Sequence, residues 1–385
     1  MAVVSYTPSP IALDPAGSLR RELPPDAVLH AAPGPVEGDP AAGFDHTTLF
    51  YDFAASPRGD QIVAVGPPML NLRDALLPAT FCLSSTAGSL VALAQRWEEH
   101  PQCCILRLRV PRSARQSVGG GAVLLARLRD GTTHQVRLNR VDRSSRYLSL
   151  STIQRDEPLP WVREWIAYWA SLGADRVVLY DNGSTYFEEL VELLGDLGQR
   201  VEIVVVRWHF PYGPTHSFDL LFAQAASLNH ARLVFPGARW GATFDIDEYP
   251  VLRQDAGFPG LLDRMRAGTG AVRLRVFDVK NVRWHPESAS AMPTAKDFVF
   301  RDRASKPTFK YLYRTRWTRL NRVHDAVVWP FVSTVVDPEE AAYFHYWALN
   351  RGWKHPERID RVAFDPSQHV EDQAVADRMR ALPAV

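Results

Sequence analysis

The sequence predicts an α/β protein, with a mostly parallel sheet flanked by helices and a smaller antiparallel β domain ahead of it. Three observations carry this expectation: eight prolines crowd residues 1–43, short apolar runs separated by turn signals fill 44–147, and strand and helix periodicities alternate from 148 onward. A chain of 385 residues with 46% apolar content can bury more than one core.

Residues 1–43 mix proline with alanine, glycine and acidic residues, a composition too poor in large apolar side chains to offset chain entropy; a mostly disordered leader is expected. Within 44–147 the apolar runs 61–65, 80–83, 104–110, 122–128 and 134–138 read as strands, the last two flanking the hairpin signal Asp130-Gly131. Leu90, Ala94 and Trp97 suggest one helix inside this domain. From 148 the elements are a strand at 148–154 and a helix opened by Pro160, with Val162, Trp165, Ile166 and Trp169 on one face and Gly173 at its stop. A strand at 176–180 runs into the turn Asp181-Asn182-Gly183-Ser184. A second helix presents Phe187, Leu190, Val191 and Leu194; an almost wholly apolar strand follows at 201–206, then a third helix with Phe218, Leu221, Phe222 and Ala225, and a strand at 240–244. The alternation implies parallel strands joined by right-handed crossovers, which gather ligands at the strands' carboxyl ends. The main domain is expected over 148–350, with a tail containing a helix at 351–385.

Forty-four basic residues nearly balance 43 acidic ones, so bulk charge gives no reason to expect nucleic acid or an anionic membrane as the main partner. Cys82, Cys103 and Cys104 have no metal-ligand or disulfide spacing. No apolar run approaches the length of a membrane span, and the N-terminus lacks a signal-peptide pattern; a soluble, cytoplasmic protein is expected.

The strongest chemical signal is Asp245-Ile246-Asp247. On a strand, alternate residues project to one side, so the two carboxylates would converge while Ile246 points into the core. Two convergent carboxylates suit Mg²⁺ or Mn²⁺, hard cations that fill their remaining positions with water and phosphate oxygens. A solvated turn is the alternative. Asp181, Asn182 and Ser184, at another strand's carboxyl end, can meet a base or ribose, or can simply form a turn and helix cap. Arg155, in the segment after the first strand, could set a cation beside phosphates.

Four ordered blocks resemble glycosyltransferase family 92 and related bacterial family 2-like glycosyltransferases: Arg163-Glu164-Trp165-Ile166-Ala167-Tyr168, Leu172-Gly173-Ala174-Asp175-Arg176, Tyr180-Asp181-Asn182-Gly183-Ser184 and Phe244-Asp245-Ile246-Asp247-Glu248-Tyr249. Ser305-Lys306-Pro307, Arg322-Val323-His324 and Phe344-His345-Tyr346 with Lys354 are similar to that family's downstream basic and histidine blocks. The resemblance implies a GT-A (Rossmann-like) fold, a divalent metal, and transfer of a hexose such as galactose from a UDP-sugar to a glycan hydroxyl with inversion. It assigns Asp245 and Asp247 to metal and donor, and Asp181 to the nucleotide. His345 is the candidate for a third metal ligand, a buried core histidine being the alternative. Lys306, Lys310 and His324 are candidates to neutralise the diphosphate. The segment 209–217 is not a clean match, which leaves acceptor contacts open.

Glycosyl transfer needs charge stabilised on the leaving diphosphate and a carboxylate to take the acceptor's proton; Glu248 and Asp325 are the candidates for that base. Two other functions compete. A sugar-phosphate nucleotidyltransferase would ordinarily carry a glycine-rich loop after the first strand, and Gln154-Arg155-Asp156-Glu157-Pro158 has no glycine. A non-catalytic carbohydrate-binding protein could use the 11 tryptophans as stacking platforms, although many fall at core spacing.

Overall fold

The expected alternation after residue 147 forms in a computed structural model that describes residues 3–25, 43–84, 89–118, 122–214, 218–280, 282, 293–349 and 362–382. By contacts the chain divides into two units: residues 1–6, 145–206 and 238–385 in the first, and residues 7–144 and 207–237 in the second.

The first unit is mixed α/β with few helices around a twelve-stranded sheet. Its parallel part is the part legible in the sequence. Arg146–Gln154 pairs in parallel with Arg176–Asp181 on one side and with Ala238–Thr243 on the other. The Leu159–Ser171 helix begins with proline in its first turn and ends at Gly173, whose φ of +95° is one an L side chain rarely adopts. A Cβ at Gly173 would also lie 2.8 Å from the Pro259 ring. Trp165, Trp169 and Tyr168 of this helix are wholly buried against the sheet, Trp169 stacking on Phe258 with ring centroids 5.3 Å apart and packing on Phe244 at 4.8 Å. These tryptophans fill the core, as their helical spacing implied.

Beyond Ala238–Thr243 the ladders become mixed, with Thr269–Val279 parallel to Val332–Val335 and to Ala341–Tyr346 and antiparallel pairs around it. Lys306–Arg314 pairs with Ala238–Thr243 and with Thr269–Val279, and Glu248–Leu252 pairs with Ala341–Tyr346. The single helix between residues 248 and 280, Phe258–Arg264, is too short to serve as a full crossover like its predecessors. A C-terminal helix forms at Ala374–Ala381.

Two local expectations fail, each for an identifiable reason. Val3–Tyr6, expected within a disordered leader, is a strand paired in parallel with Glu202–Arg207. Residues 7–25 are also tied down: Ile11 and Leu13 are buried, and the fully buried Arg21 guanidinium donates to the carbonyls of Pro68, Asp45 and Thr48 at 2.8, 2.5 and 2.7 Å. Composition averaged over 43 residues hides a few anchoring side chains; residues 26–42 lie outside the described residues. The helix expected around Leu90, Ala94 and Trp97 is instead two strands, Leu90–Ala92 and Ala94–His100. The second pairs antiparallel with Cys103–Arg109, and Trp97 packs near Phe50 and Phe81, so cross-strand partners override a weak helical spacing.

The second unit holds a four-stranded and a five-stranded sheet, antiparallel in every pair except Asn139–Arg140 with Asp52–Ala55. The hairpin expected at Asp130-Gly131 joins Val123–Arg127 to Thr133–Arg137, with Gly131 at φ +89°. The third expected helix, Phe222–Val234, is buried along its whole length in this second unit, where His230 Nε2 lies 2.8 Å from Asp52 Oδ2.

Trp169→Ala is expected to lower unfolding free energy by about 3–5 kcal/mol, because the large cavity beneath Phe244 cannot collapse fully. Urea denaturation of the purified variant checks this.

Candidate functional site

The candidate site is built where the central strands end. Thr243 closes its strand beside Ser151, and the chain then turns, the Glu248 N–H bonding the Asp245 carbonyl at 3.0 Å. Asp245-Ile246-Asp247 is therefore a turn between two strands and not a strand tip, which corrects the geometric premise drawn from alternation. Ile246 still points into the main core, 7% exposed. What gathers the carboxylates is the turn together with the cations that meet them.

Glu248 starts the next strand and lies in register with His345, which is in register with Asp278 on its other side. Residues opposite one another in register share a face, so Glu248, His345 and Asp278 form one row across three strands. Lys310 reaches the same place from Lys306–Arg314. Its ammonium, 2% exposed, lies 2.7 Å from Asp245 Oδ2 and 2.9 Å from Glu248 Oε2, and Glu248 Oε2 also accepts the Asp245 N–H at 2.9 Å. His345 Nε2 lies 3.3 Å from Asp247 Oδ2 and its Nδ1 3.7 Å from Asp278 Oδ1, while Lys306 is ion-paired with Asp278. Cations and carboxylates thus alternate across the site.

Burial pushes the Glu248 carboxyl up, to about 7, against the pull of Lys310. Burial alone would lower Lys310; Asp245 and Glu248 outweigh it and raise the ammonium above its usual value. His345 behaves likewise: burial pulls it down, but Asp247 and Asp278 raise it to about 10, so the ring is an imidazolium at neutral pH. Asp278, which burial would raise, is held at about 2 by His345 and Lys306. The His324 imidazole is lowered by burial and by Lys310, and its Nδ1 lies 3.2 Å from the Phe309 carbonyl.

Exposure separates the carboxylates by what they can reach. The Asp245 and Asp247 side chains are 41% and 22% exposed, whereas Glu248 and Asp278 are almost entirely buried. Asp325 is half-buried in the turn between Thr318–Asn321 and Ala326–Val328, its backbone carbonyl accepting the Arg322 N–H at 2.7 Å.

The Asp181 turn is a separate cluster one ladder further along, where Gln154 and Asp181 are register partners. Asp181 is fully buried: Oδ1 accepts the Gln154 amide at 2.6 Å, and Oδ2 accepts the N–H groups of Gly183 and Ser184 at 3.2 and 3.0 Å. Ser184 Oγ accepts the Asp156 N–H at 2.8 Å and the Gln154 amide at 3.1 Å. Both Asp181 oxygens are thus engaged in ordering the loop. Asn182 is 6% exposed with its N–H on the Gln154 carbonyl at 2.8 Å, and Arg155 is exposed on the adjacent loop that follows Arg146–Gln154.

The structure therefore brings Asp245, Asp247, Glu248, Lys306, Lys310 and His345 together, sets His324 and Asp325 on an adjoining hairpin, and holds Arg155 and the Asp181, Asn182 and Ser184 turn in two neighbouring loops. Lys354 and residues 215–217 lie outside the described residues. Two residues were missed from sequence, Asp278 and Gln154. The available signal for Asp278 was a carboxylate inside the apolar run Val276-Phe277-Asp278-Val279.

Fold and site together define an α/β protein with a charged site at the carboxyl ends of its central strands. The model of glycosyltransferase family 92 matches residues 149–377, more than half of the sequence, and the chain belongs to that family. No curated protein matches it. Among solved structures it is similar to the bifunctional glycosyltransferase WbbM in its apo form, at 18% identity and TM-score 0.24 over 36% of this chain and 24% of that one. It is also similar to S. aureus TarS at 13% identity and TM-score 0.29, over 52% and 61%, and to a pullulanase from Anoxybacillus sp. LM18-11 at 16% and 0.17, over 23% and 12%. The chain thus spans about a quarter of the WbbM chain and under two thirds of the TarS chain.

Lys310→Met is expected to destabilise the fold at neutral pH by up to about 3–5 kcal/mol, less where Glu248 takes up a proton in place of its lost cation. Adding Glu248→Gln should recover part of that loss, which a double-mutant cycle of urea unfolding measures.

Proposed function

We propose that this chain is a glycosyltransferase of GT-A type that moves a hexose from a nucleotide diphosphate donor, UDP-linked, to a glycan hydroxyl with inversion. The observation that carries the reading is the turn Asp245–Asp247, which presents two partly exposed carboxylates beside the buried Lys310 and the half-buried His345. Membership in a glycosyltransferase family weighs against the nucleotidyltransferase and binding-only readings. No helix among the described residues is long and apolar enough to cross a membrane.

The donor set suits a hard divalent cation such as Mn²⁺ or Mg²⁺. Among the described residues no group of three or more His, Cys, Asp or Glu converges as a closed metal cage. Cations of this kind ask for only one or two carboxylates and take the rest of their ligands from phosphate and water. Asp245 and Asp247 would hold the ion, each with one oxygen steadied by a protein cation. When bound, the ion supplies Lewis acidity to the departing diphosphate. His345 is better suited to holding Asp247 than to ligation, because both its ring nitrogens face carboxylates, Asp247 and Asp278.

In the reaction the acceptor oxygen forms a bond to the anomeric carbon, the bond to the diphosphate breaks, and the acceptor proton passes to a carboxylate. Glu248 is too buried, and too committed to Lys310 and the Asp245 N–H, to meet an acceptor. Its part is to position Asp245. Asp325, half-exposed beside His324, is the better base. Lys306 and Arg155 are the cations free enough of burial to approach donor phosphates, and the Asp181 loop, held by its internal bonds, would support the nucleotide side of the site beside Arg155.

A panel of UDP-, GDP- and dTDP-sugars, assayed for nucleotide release with Mn²⁺ and with chelator, tests the donor class. Asp247→Asn should cut metal-dependent release by at least about 100-fold with an unchanged circular dichroism spectrum; full activity in that variant would remove the site assignment. Asp325→Asn should lower kcat by about 10²–10⁴-fold while leaving donor KM in place. An equal loss in donor binding would assign Asp325 to the donor instead.

A further inference from the structure

Alternate residues of the Thr269–Val279 strand face opposite sides of the sheet. Val272, Leu274 and Val276 enter the main core, and Leu274 lies in register with Lys310, whose ammonium meets Asp245 and Glu248. Arg273 and Arg275 therefore project to the other side. There Arg273 is in register with Tyr311 and Val335, and Arg275 with Phe309 and Ala342. Residues in register share a face, and the ring contacts agree: the Arg273 guanidinium lies 4.1 Å from the Phe309 ring centre, and that of Arg275 lies 6.0 Å from it.

These two half-buried arginines differ from others of the same unit. Arg253 and Arg301 both meet Asp372, and Arg264 meets Asp255 and Glu340. Among the described residues, neither Arg273 nor Arg275 has a carboxylate within ion-pair distance. Asp337, two residues past Val335, is exposed and accepts the Glu339 N–H through Oδ1. Arg273 Nε is buried and has no acceptor among the described residues. Two like charges on one strand repel, and a buried donor left unmet is costly; one oxyanion relieves both. Stacking on Phe309 occupies the flat face of a guanidinium and leaves its N–H edge for the paired oxygens of a phosphate or carboxylate.

We propose that Arg273, Arg275 and Phe309 form a binding site for an oxyanion group, phosphate or carboxylate, on the sheet face opposite Lys310. Phe309 and Lys310 are consecutive on one strand, so the sheet itself separates this oxyanion from the carboxylates that Lys310 holds, and the group bound here is not the donor's diphosphate. Two planar forks flanking one ring select charge and paired oxygens over a neutral hydroxyl. The proposal uses none of the residues assigned to glycosyl transfer and stands independently of that reaction.

The test is calorimetric titration of the full chain, with chelator present, by inorganic phosphate, by glucuronate and by glucose. Saturable binding of phosphate, of glucuronate or of both, weakened by added sodium chloride and with none of glucose, is the expected result; the tighter ligand identifies the group. Arg273→Gln with Arg275→Gln should lower that affinity by at least about tenfold without lowering the melting temperature, and Arg273→Lys with Arg275→Lys, which keeps the charge and loses the fork, should recover only part of it. Lys306→Met should leave it in place. Thermal melts identify any variant that misfolds, and Arg275→Gln alone carries the measurement if the double variant does. Absence of saturable binding, equal binding of glucose, or retained affinity in the folded arginine variants overturns the proposal. So does affinity lost in Lys306→Met and kept in the arginine variants, which would assign the anion to the Asp278 side of the sheet. Titration reads binding without turnover, so this result and the fate of the proposed reaction are separable.

Discussion

The arrangement at the strand ends depends on one buried ammonium. Lys310 sits 2% exposed between Asp245 and Glu248, and without it two carboxylates would lie together at the edge of the core with nothing to balance them. Its position also shapes the backbone. Glu248 can accept the Asp245 N–H only because its carboxylate is held in place, and that bond closes the turn that presents Asp247. The charge and the turn are one feature.

The same logic extends across the sheet. His345 stands between Asp247 and Asp278, and Asp278 is met again by Lys306, so each acidic group at the site has a cationic neighbour supplied by a different strand. Such a row costs desolvation and is poor evidence of stability. Its value lies in preorganisation: carboxylates fixed by cations on distant segments do not have to be ordered when a ligand arrives. Asp245 and Asp247 are the exposed members. The buried members hold them.

The second unit uses buried charge differently. Arg21 donates to three carbonyls and Asp52 meets His230, the Ser9 N–H and the Asn139 amide, bonds that tie residues 7–25 and the Phe222–Val234 helix into the β-rich unit. Here the polar groups serve attachment, since every partner is internal and at least half-buried.

The periodic part of the fold was legible in the sequence because local physics fixes it. Val162, Trp165, Ile166 and Trp169 recur at helical spacing, the apolar runs at 176–180 and 201–206 belong to strands covered on both faces, and Gly173 and Gly131 mark places where φ must be positive. Val3–Tyr6 and Arg21 escaped notice because their partners, Glu202–Arg207 and the carbonyls of residues 45, 48 and 68, are distant in sequence. The antiparallel return of Lys306–Arg314 onto Ala238–Thr243 was likewise undecided by any local signal. For the site, the sequence determined which residues could bear charge: Asp245, Asp247, Lys306, Lys310 and His345. Only tertiary structure decided which of them meet, that Asp181 turns both oxygens inward, and that Asp278 joins the row. Side-chain type and spacing are properties of a segment, whereas the pairing of a carboxylate with a cation some 30 to 100 residues away is a property of register between strands.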